Sequence, residues 1–318
     1  MYARRIPDRI TDTAPMAEVT PSQFPENRLH SLLNPVLTFI VVCKGRLEHL
    51  KASLPKLIQQ PKSETIVVDS NCPDGAADWV AKNYPAAKIV MLDDDNEFNL
   101  PKSRNAGLKF ATTKWICFIN ADIIVKNDFI YQVLPLLHDG NYYTFSHPGG
   151  LSGTCIVALD SLISVCGYDE ALVCWCGEDD DLYARLRLHK INSSKLPLEL
   201  IESIIEHSDD ARTRFYQQKD IFEARAIAEL YGEIKFTAMI ATQNFNISIN
   251  ERKRMFNFAS DFINSHIRSK TASGGFTFRV PPHNAISFLT LKVEKEVTIK
   301  VNLKRLTSRP QITLAGTE

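Results

Sequence analysis

The feature that most restricts how this chain can fold is an alternation that begins at Val36. The run Val36 to Cys43 (VLTFIVVC) is continuously apolar and partly β-branched, as a strand covered on both faces requires. Leu47, Leu50, Leu54, Leu57 and Ile58 then recur at helical spacing. A second strand (Thr65 to Asp69), a helix (Asp74 to Asn83) and a third strand (Lys88 to Leu92) follow, and then a helix from Lys102 to Ala111, a strand from Trp115 to Ile119 and a helix from Asp128 to Leu137. Strands alternating with helices of this length imply βαβ units, so the expected fold is α/β with a mixed, mostly parallel, Rossmann-like sheet.

After Gly140 the rhythm shortens to strands at Tyr142 to Ser146 and Cys155 to Leu159, a short helix near Ser161, and a helix opened by Gly177-Glu178-Asp179-Asp180-Asp181. The strand-like stretch Leu198 to Ile205 leads to His207. Two helical patterns (Arg214 to Tyr231, Asn250 to Ile267) and an alternating, hairpin-like segment around Val293 to Leu303 complete the chain. Five prolines among polar residues mark residues 1–35 as a mobile tail. The expected division is therefore a tail at 1–35, a main domain at 36–212, and a small α+β extension at 213–318.

Charge and cysteine content narrow the function class. The 318 residues carry 37 Lys and Arg against 37 Asp and Glu, so no overall field draws the molecule to nucleic acid. The segment from Glu251 onward holds 12 basic and 5 acidic residues, net +7. That basic segment suits a peripheral contact with an anionic membrane face, a glycan or a partner subunit, and an ordinary solvated face is its plainer reading. Seven cysteines without a Cys-x-x-Cys pair fit a reducing compartment. With no apolar run of membrane-spanning length, the expected location is cytoplasmic, with room for peripheral attachment to the inner face of a membrane.

Both common nucleotide loops are missing, since neither G-x-G-x-x-G nor G-x-x-x-x-G-K-[ST] occurs. The first strand ends instead in Lys44-Gly45-Arg46, two cations at the sheet edge where open α/β folds bind ligands, suited to a diphosphate or simply solvated. Asp69 ends the second strand, able to accept from a nucleobase or to cap the next helix. Phe98-Asn99 followed by Lys102, Arg104, Asn105 and Gly107 sets cations at a helix start, where anions are favoured. At the end of the fourth strand, Asn120-Ala121-Asp122 offers an oxygen ligand for a hard divalent cation, although such a triplet is also ordinary turn chemistry.

The run Trp175-Cys176-Gly177-Glu178-Asp179-Asp180-Asp181 is the most unusual local feature. Acids at a helix start gain from the helix dipole, which is a sufficient structural reason for them. Successive helical side chains point about 100° apart, so only one or two can face a single substrate. Asp179 is the expected base, with Asp180 positioning an acceptor hydroxyl and Glu178 supporting the turn. His207 is a normal ligand type for manganese or zinc, and alone it is more often a surface or satisfied core residue.

Together these residues resemble the metal-dependent GT-A-fold glycosyltransferases, in particular the beta-1,4-galactosyltransferase group and its bacterial family-two relatives. Over about residues 36–212, Lys44-Gly45-Arg46-Leu47-Glu48-His49-Leu50 is similar to that group's Arg-x-Arg-x-Glu-His-Leu, and Phe98-Asn99 through Gly107 to its Phe-Asn-Arg-x-Lys-x-x-Asn-x-Gly. Asn120-Ala121-Asp122 stands where the group has Asp-x-Asp, residues 175–181 resemble Trp-Gly-Gly-Glu-Asp-Asp-Asp, and Glu206-His207-Ser208 resembles its His-Ser segment. Asn120 replaces the first acid, Leu100 an Arg that Arg104 can replace, and Cys176 a Gly.

The resemblance implies a UDP-sugar donor contacted by Lys44 and Arg46, with Asp69 reading the uracil and Phe98, Lys102, Arg104 and Asn120 also on the nucleotide side. It implies manganese (or magnesium) held by Asp122 and His207, Asp179 as general base beside Glu178 and Asp180, and Trp175 as a platform for a sugar. The expected reaction is inverting transfer of a galactose- or N-acetylhexosamine-type sugar to a glycan or glycolipid acceptor. A non-catalytic sugar-nucleotide or glycan-binding module is the chief rival, and a nucleotidyltransferase a weaker one.

Overall fold

The computed structural model describes residues 34–92, 98–145, 153–204, 208–269, 271, 273–280 and 295–302. Nearly all of the expected tail therefore lies outside the described residues, as do His207 and the ends of the expected hairpin.

The apolar run is strand β1 (Leu37–Cys43), followed by α1 (Leu47–Ile58), β2 (Ser63–Asp69), α2 (Ala76–Asn83), β3 (Lys88–Met91), α3 (Leu100–Leu108) and β4 (Trp115–Asn120). Next come β5 (Ile123–Val125), α4 (Phe129–Val133), β6 (Asn141–Phe145), β7 (Cys155–Ala158), α5 (Leu159–Ser164), α6 (Glu178–Leu188), β8 (Asn192–Leu196) and β9 (Ile201–Ser203). The chain ends in α7 (Asp209–Thr213), α8 (Ile221–Thr242), α9 (Ile249–Ser269), β10 (Ser273–Val280) and β11 (Lys295–Asn302). Seven strands form one sheet in the order β3-β2-β1-β4-β7-β6-β8. Strand β7 alone runs against its neighbours, so the sheet is mixed and mostly parallel.

Side-chain alternation explains why β1 must be apolar throughout. Leu37, Phe39, Val41 and Cys43 pack on one face with Trp115, Cys117 and Ile119 of β4, while Ile40 packs on the other with Ile116 and Phe118. Both faces are roofed, the first by α1 through Leu50, Leu54 and Leu57, the second by α6 through Leu182 and Leu186. Gly107 of α3 lies so close to the sheet that a Cβ there would stand 2.7 Å from Ile40 Cγ2 and 2.9 Å from Val68 Cγ2.

Register then gathers the functional loops. Cys43 is level with Asp69, and Val42 with Asn120, so the segments after β1, β2 and β4 leave the sheet at one edge. The short pair β5 and β9 continues from that edge, and Ile204 N–H donates to the Asp122 carbonyl at 2.9 Å. Sequence periodicity missed β5 because three residues are too few to show a period, and β8 because Asn-Ser-Ser-Lys-Leu is a polar edge strand.

The expected helix at 128–137 is shorter than its pattern, since Pro135 turns its end into a 3₁₀ segment, Leu134–Leu136. The pattern read at Arg214 to Tyr231 belongs to α8, shifted toward the C-terminus. Its true start is capped by Asp220, which accepts from the N–H groups of Phe222 (2.8 Å) and Glu223 (3.1 Å).

Helices α8 and α9 form a third apolar cluster with Ala171, Leu172 and Cys174. Beside it the fully buried Lys235 of α8 pairs with Asp169 (2.6 Å) and Asp181, while Arg252 of α9 reaches the other oxygen of Asp169. Burial opposes ionisation of Asp169, yet Lys235 and Arg252 overcome it and hold the carboxyl well below its usual range.

Candidate active site

A cavity of about 1540 Å³ opens at the sheet edge, between the loops after β1 and β4, the start of α6 and one side of α8. Ten of the expected site residues line it: Lys44, Arg46, Phe98, Arg104, Asn120, Asp122, Trp175, Glu178, Asp179 and Asp180. Asp69 and Lys102 are not among its lining residues. Asp69 instead accepts from the N–H groups of Cys72 (2.6 Å) and Ala77 (2.8 Å), the capping alternative for that position.

The cationic end of the cavity is built around a glycine. Gly45 has φ +63°, and a Cβ there would come within 2.4 Å of the Phe215 ring, so the loop turns where only glycine fits. That turn sends Lys44 Nζ over the rings of Phe98 and Phe215, at 5.8 Å from each centroid. Arg46 donates to the Ala211 carbonyl at 3.2 Å. Burial lowers its guanidinium from the usual value, and the negative charge of Asp122 opposes that shift.

The acidic end is the start of α6. Cys176 (φ +80°) and Gly177 (φ +89°) both adopt left-handed backbone, the conformation a Gly-Gly pair would take without strain. This sharp entry buries Asp179 and leaves Asp180 exposed. Asp179 Oδ1 accepts from Arg104 Nη1 at 2.7 Å and from the Tyr168 hydroxyl at 3.2 Å. Its Oδ2 has no hydrogen bond among the described residues.

Arg104 is the hub of this end. It is 2% exposed, and its Nη2 also donates to Asn120 Oδ1 and the Gly153 carbonyl, both at 3.2 Å. Burial alone would lower its guanidinium, but Tyr168, Asp179 and Glu178 outweigh it and raise it well above the ordinary value. Asn120 thus faces Arg104 with a neutral oxygen. Burial, then the charge of Asp179, pushes the Glu178 carboxyl up to about 7, and for Asp180 partial desolvation of its carboxyl with the same charge acts in the same direction. Asp181, which also lines the cavity, is taken up in the buried pairs with Arg185 (2.8 Å) and Lys235, which separates it chemically from its neighbours.

One further residue, Tyr168, was not read from sequence, and Asn105, which was, proves to have a bracing role. Tyr168 stacks against the Arg104 guanidinium at 4.7 Å and orients Asp179, a role no local pattern announces. Asn105 anchors the loop that carries Tyr168, donating to its carbonyl and accepting its N–H at 2.9 and 2.8 Å, so the amide of the α3 motif is a brace.

A divalent cation requires hard oxygen or imidazole ligands. Asp122 supplies a carboxylate at the cavity wall, and β9, bonded to its carbonyl through Ile204, leads in sequence into Glu206-His207. The donor types fit such an ion. Among the described residues no group of three or more His, Cys, Asp and Glu gathers as a complete metal site. Also among them, no helix is long and apolar enough to cross a membrane.

Comparison with known proteins bears on the fold and the family. Residues 38–152 match the family model "Glycosyl transferase family 2" and residues 139–208 match "N-terminal domain of galactosyltransferase". Beta-1,4-galactosyltransferase 4 of Mus musculus is 27% identical over 118 residues, and that of Cricetulus griseus 28%, each match covering 34% of this chain and 34% of the relative. The matched stretch therefore spans about a third of the length of those relatives. Among solved structures, S. aureus TarS residues 1–349 in complex with UDP-GlcNAc is similar over 73% of this chain and 72% of its own, at TM-score 0.52 and 16% identity, a likeness of fold. With two adjoining family matches, an α/β sheet of this topology and a shared fold, the segment from residue 38 to residue 208 belongs to the GT-A-fold glycosyltransferases.

Proposed function

We propose that this chain transfers a sugar from a UDP-sugar to a glycan hydroxyl with inversion, using Asp179 as the base. The observation that carries the reading is the state of Asp179. One oxygen is fixed by Arg104 and Tyr168, and the other, Oδ2, is unengaged among the described residues at the wall of a large cavity. A carboxylate held in this way is pre-oriented to receive a proton.

In this reading the acceptor hydroxyl oxygen bonds to the anomeric carbon as the bond from that carbon to the diphosphate breaks. UDP leaves with the electron pair, and the hydroxyl proton passes to Asp179 Oδ2. Lys44 and Arg46, also on the cavity wall, bind the diphosphate and offset the charge that grows on it. Glu178, with its carboxyl near 7, exchanges between donor and acceptor around neutral pH and suits a sugar hydroxyl. Asp180 faces solvent beside it and orients the acceptor. Trp175, with the Arg212 guanidinium 5.8 Å from its ring, offers an apolar face to a sugar. Manganese (or magnesium), held by Asp122 and His207, would add positive charge for the departing diphosphate.

A UDP donor is supported by the TarS complex with UDP-GlcNAc, whose fold this chain shares. The assay is UDP release from a panel of UDP-sugars with manganese, with and without candidate glycans. Asp179→Asn should abolish turnover and leave UDP affinity nearly intact. Equal loss of both would make Asp179 a structural residue, and UDP binding without turnover of any donor would favour the non-catalytic binding module.

A further inference from the structure

Helix α8 lies beyond both matched segments, yet one of its sides closes the cavity. Arg225, Ala228, Glu229, Gly232, Glu233 and Phe236 all line it, spaced three and four apart as a single stripe. The apolar side of the helix, with Ile227, Leu230 and Ile234, is spent on the third core cluster, which Ala228 joins at its border, and Phe236 packs partly against Ala238, Met239 and Ile247; Arg225, Glu229, Gly232 and Glu233 form the surface left over. The stripe presents three exposed charged residues, a half-buried aromatic ring and a glycine.

The glycine is the informative member. Glycine in the interior of a 22-residue helix is unfavourable without a reason. Packing among the described residues supplies none: there a Cβ at Gly232 would meet only the Phe236 ring, at 4.0 Å. What glycine preserves is open space in the cavity. The stripe is also held rigidly against the reacting end. Gly177 packs so tightly on Ala228 that a Cβ there would lie 2.8 Å from the alanine Cβ, and Lys235 joins α8 to Asp181 of α6. Arg225 acts electrostatically on both Cys176 and Asp180. The cavity, about 1540 Å³, exceeds the roughly 300–1,000 Å³ of an ordinary small-molecule site, leaving room for more than a donor.

Resting on the glycosyl-transfer reading above, we propose that this stripe is the acceptor subsite and that its ligand is an oligosaccharide rather than a single sugar. Glu229 and Glu233 accept hydrogen bonds from neighbouring sugar hydroxyls, Phe236 covers the apolar face of a ring, and Gly232 leaves the chain its path to Asp179.

The test compares wild type with Gly232→Leu, each with UDP and manganese, on an array of defined mono- to hexasaccharides, with affinities then measured for the class retained. Leucine suits a helix better than glycine, so the melting temperature should hold or rise. Wild type should bind a tetrasaccharide about ten-fold more tightly than its terminal monosaccharide, and the variant should reduce that ratio to about one. Retention of no glycan, affinity independent of chain length, or an unchanged ratio in Gly232→Leu would overturn the subsite. Hydrolysis of a UDP-sugar by wild type without acceptor is read separately. If it persists while the array result fails, only the subsite falls. If no UDP-sugar is hydrolysed or transferred, the glycosyl-transfer reading falls with it.

Discussion

Glutamate 178 lets the electrostatics of the site be weighed by a stability measurement. Its carboxyl is raised from 4.5 to about 7 by burial and by the charge of Asp179. Below about pH 4.5 the group is protonated in both the folded and the unfolded chain and contributes nothing to pH dependence. Between about 4.5 and 7 the unfolded chain ionises first, so the fold binds the extra proton and loses stability as pH rises; above about 7 the loss is complete. At about 1.4 kcal/mol per unit, the shift corresponds to about 3 kcal/mol. For a chain of this size a kcal/mol moves the melting temperature by about 2 °C, so the full effect is about 6 °C. Glu178→Gln removes the titration and keeps the shape. The assay is differential scanning calorimetry of both proteins at pH 5 and pH 8, without nucleotide or metal. Titrating groups that do not interact with Glu178 cancel in the double difference, and the variant should gain on wild type by several degrees between the two pH values. A variant that tracks wild type in parallel would refute the argument that burial and Asp179 hold this proton.

Arg104→Gln strands Asp179 in a buried site, and breaking such a pair costs about 3–5 kcal/mol, readable by urea unfolding; a loss below about 1 kcal/mol would show the pair to be dispensable. Gly45→Ala should lower the melting temperature and weaken UDP binding together, because φ +63° and the Phe215 ring both exclude a methyl group. Recovery of UDP affinity in a Gly45→Ala, Phe215→Ala double variant would support the steric cause, and no recovery would reject it. The Cys72 thiol, 3.9 Å from Cys43, is lowered to about 6 by the Cys43 hydrogen bond, against its own burial. Its alkylation by iodoacetamide, followed by mass spectrometry, should rise through about pH 6 and level off above; a midpoint near that of a free thiol would contradict the pairing.

The sheet could be read from sequence because β1, β2 and β4 are buried on both faces, and burial forces continuous apolar runs. The acidic start of α6 was equally visible, since left-handed entry and a cluster of acids are local properties. The contacts that make it a site were not. Arg104 and Asp179 are 75 residues apart, and Tyr168 and Lys235 lie in unremarkable stretches, so nothing local marks their convergence. The shifted reading of α8 has a plain cause: Gly232 looks like a stop signal, whereas here it sits mid-helix facing a cavity. Asp220 followed three residues later by Glu223 is the kind of start signal that corrects the boundary.

Kinship and physical self-sufficiency have different borders in this molecule. Asp169 and Asp181 belong to the stretch with recognisable relatives, but the cations that neutralise them, Lys235 and Arg252, come from helices outside it. A polypeptide cut near residue 212 would keep two carboxylates and lose Lys235 and Arg252, leaving Asp181 with Arg185 alone and Asp169 without either of its cations, along with the apolar cover over Leu172 and Cys174. The segment matched by the family models is therefore not electrostatically self-sufficient, since the charge of its buried Asp169 is balanced from the C-terminal helices.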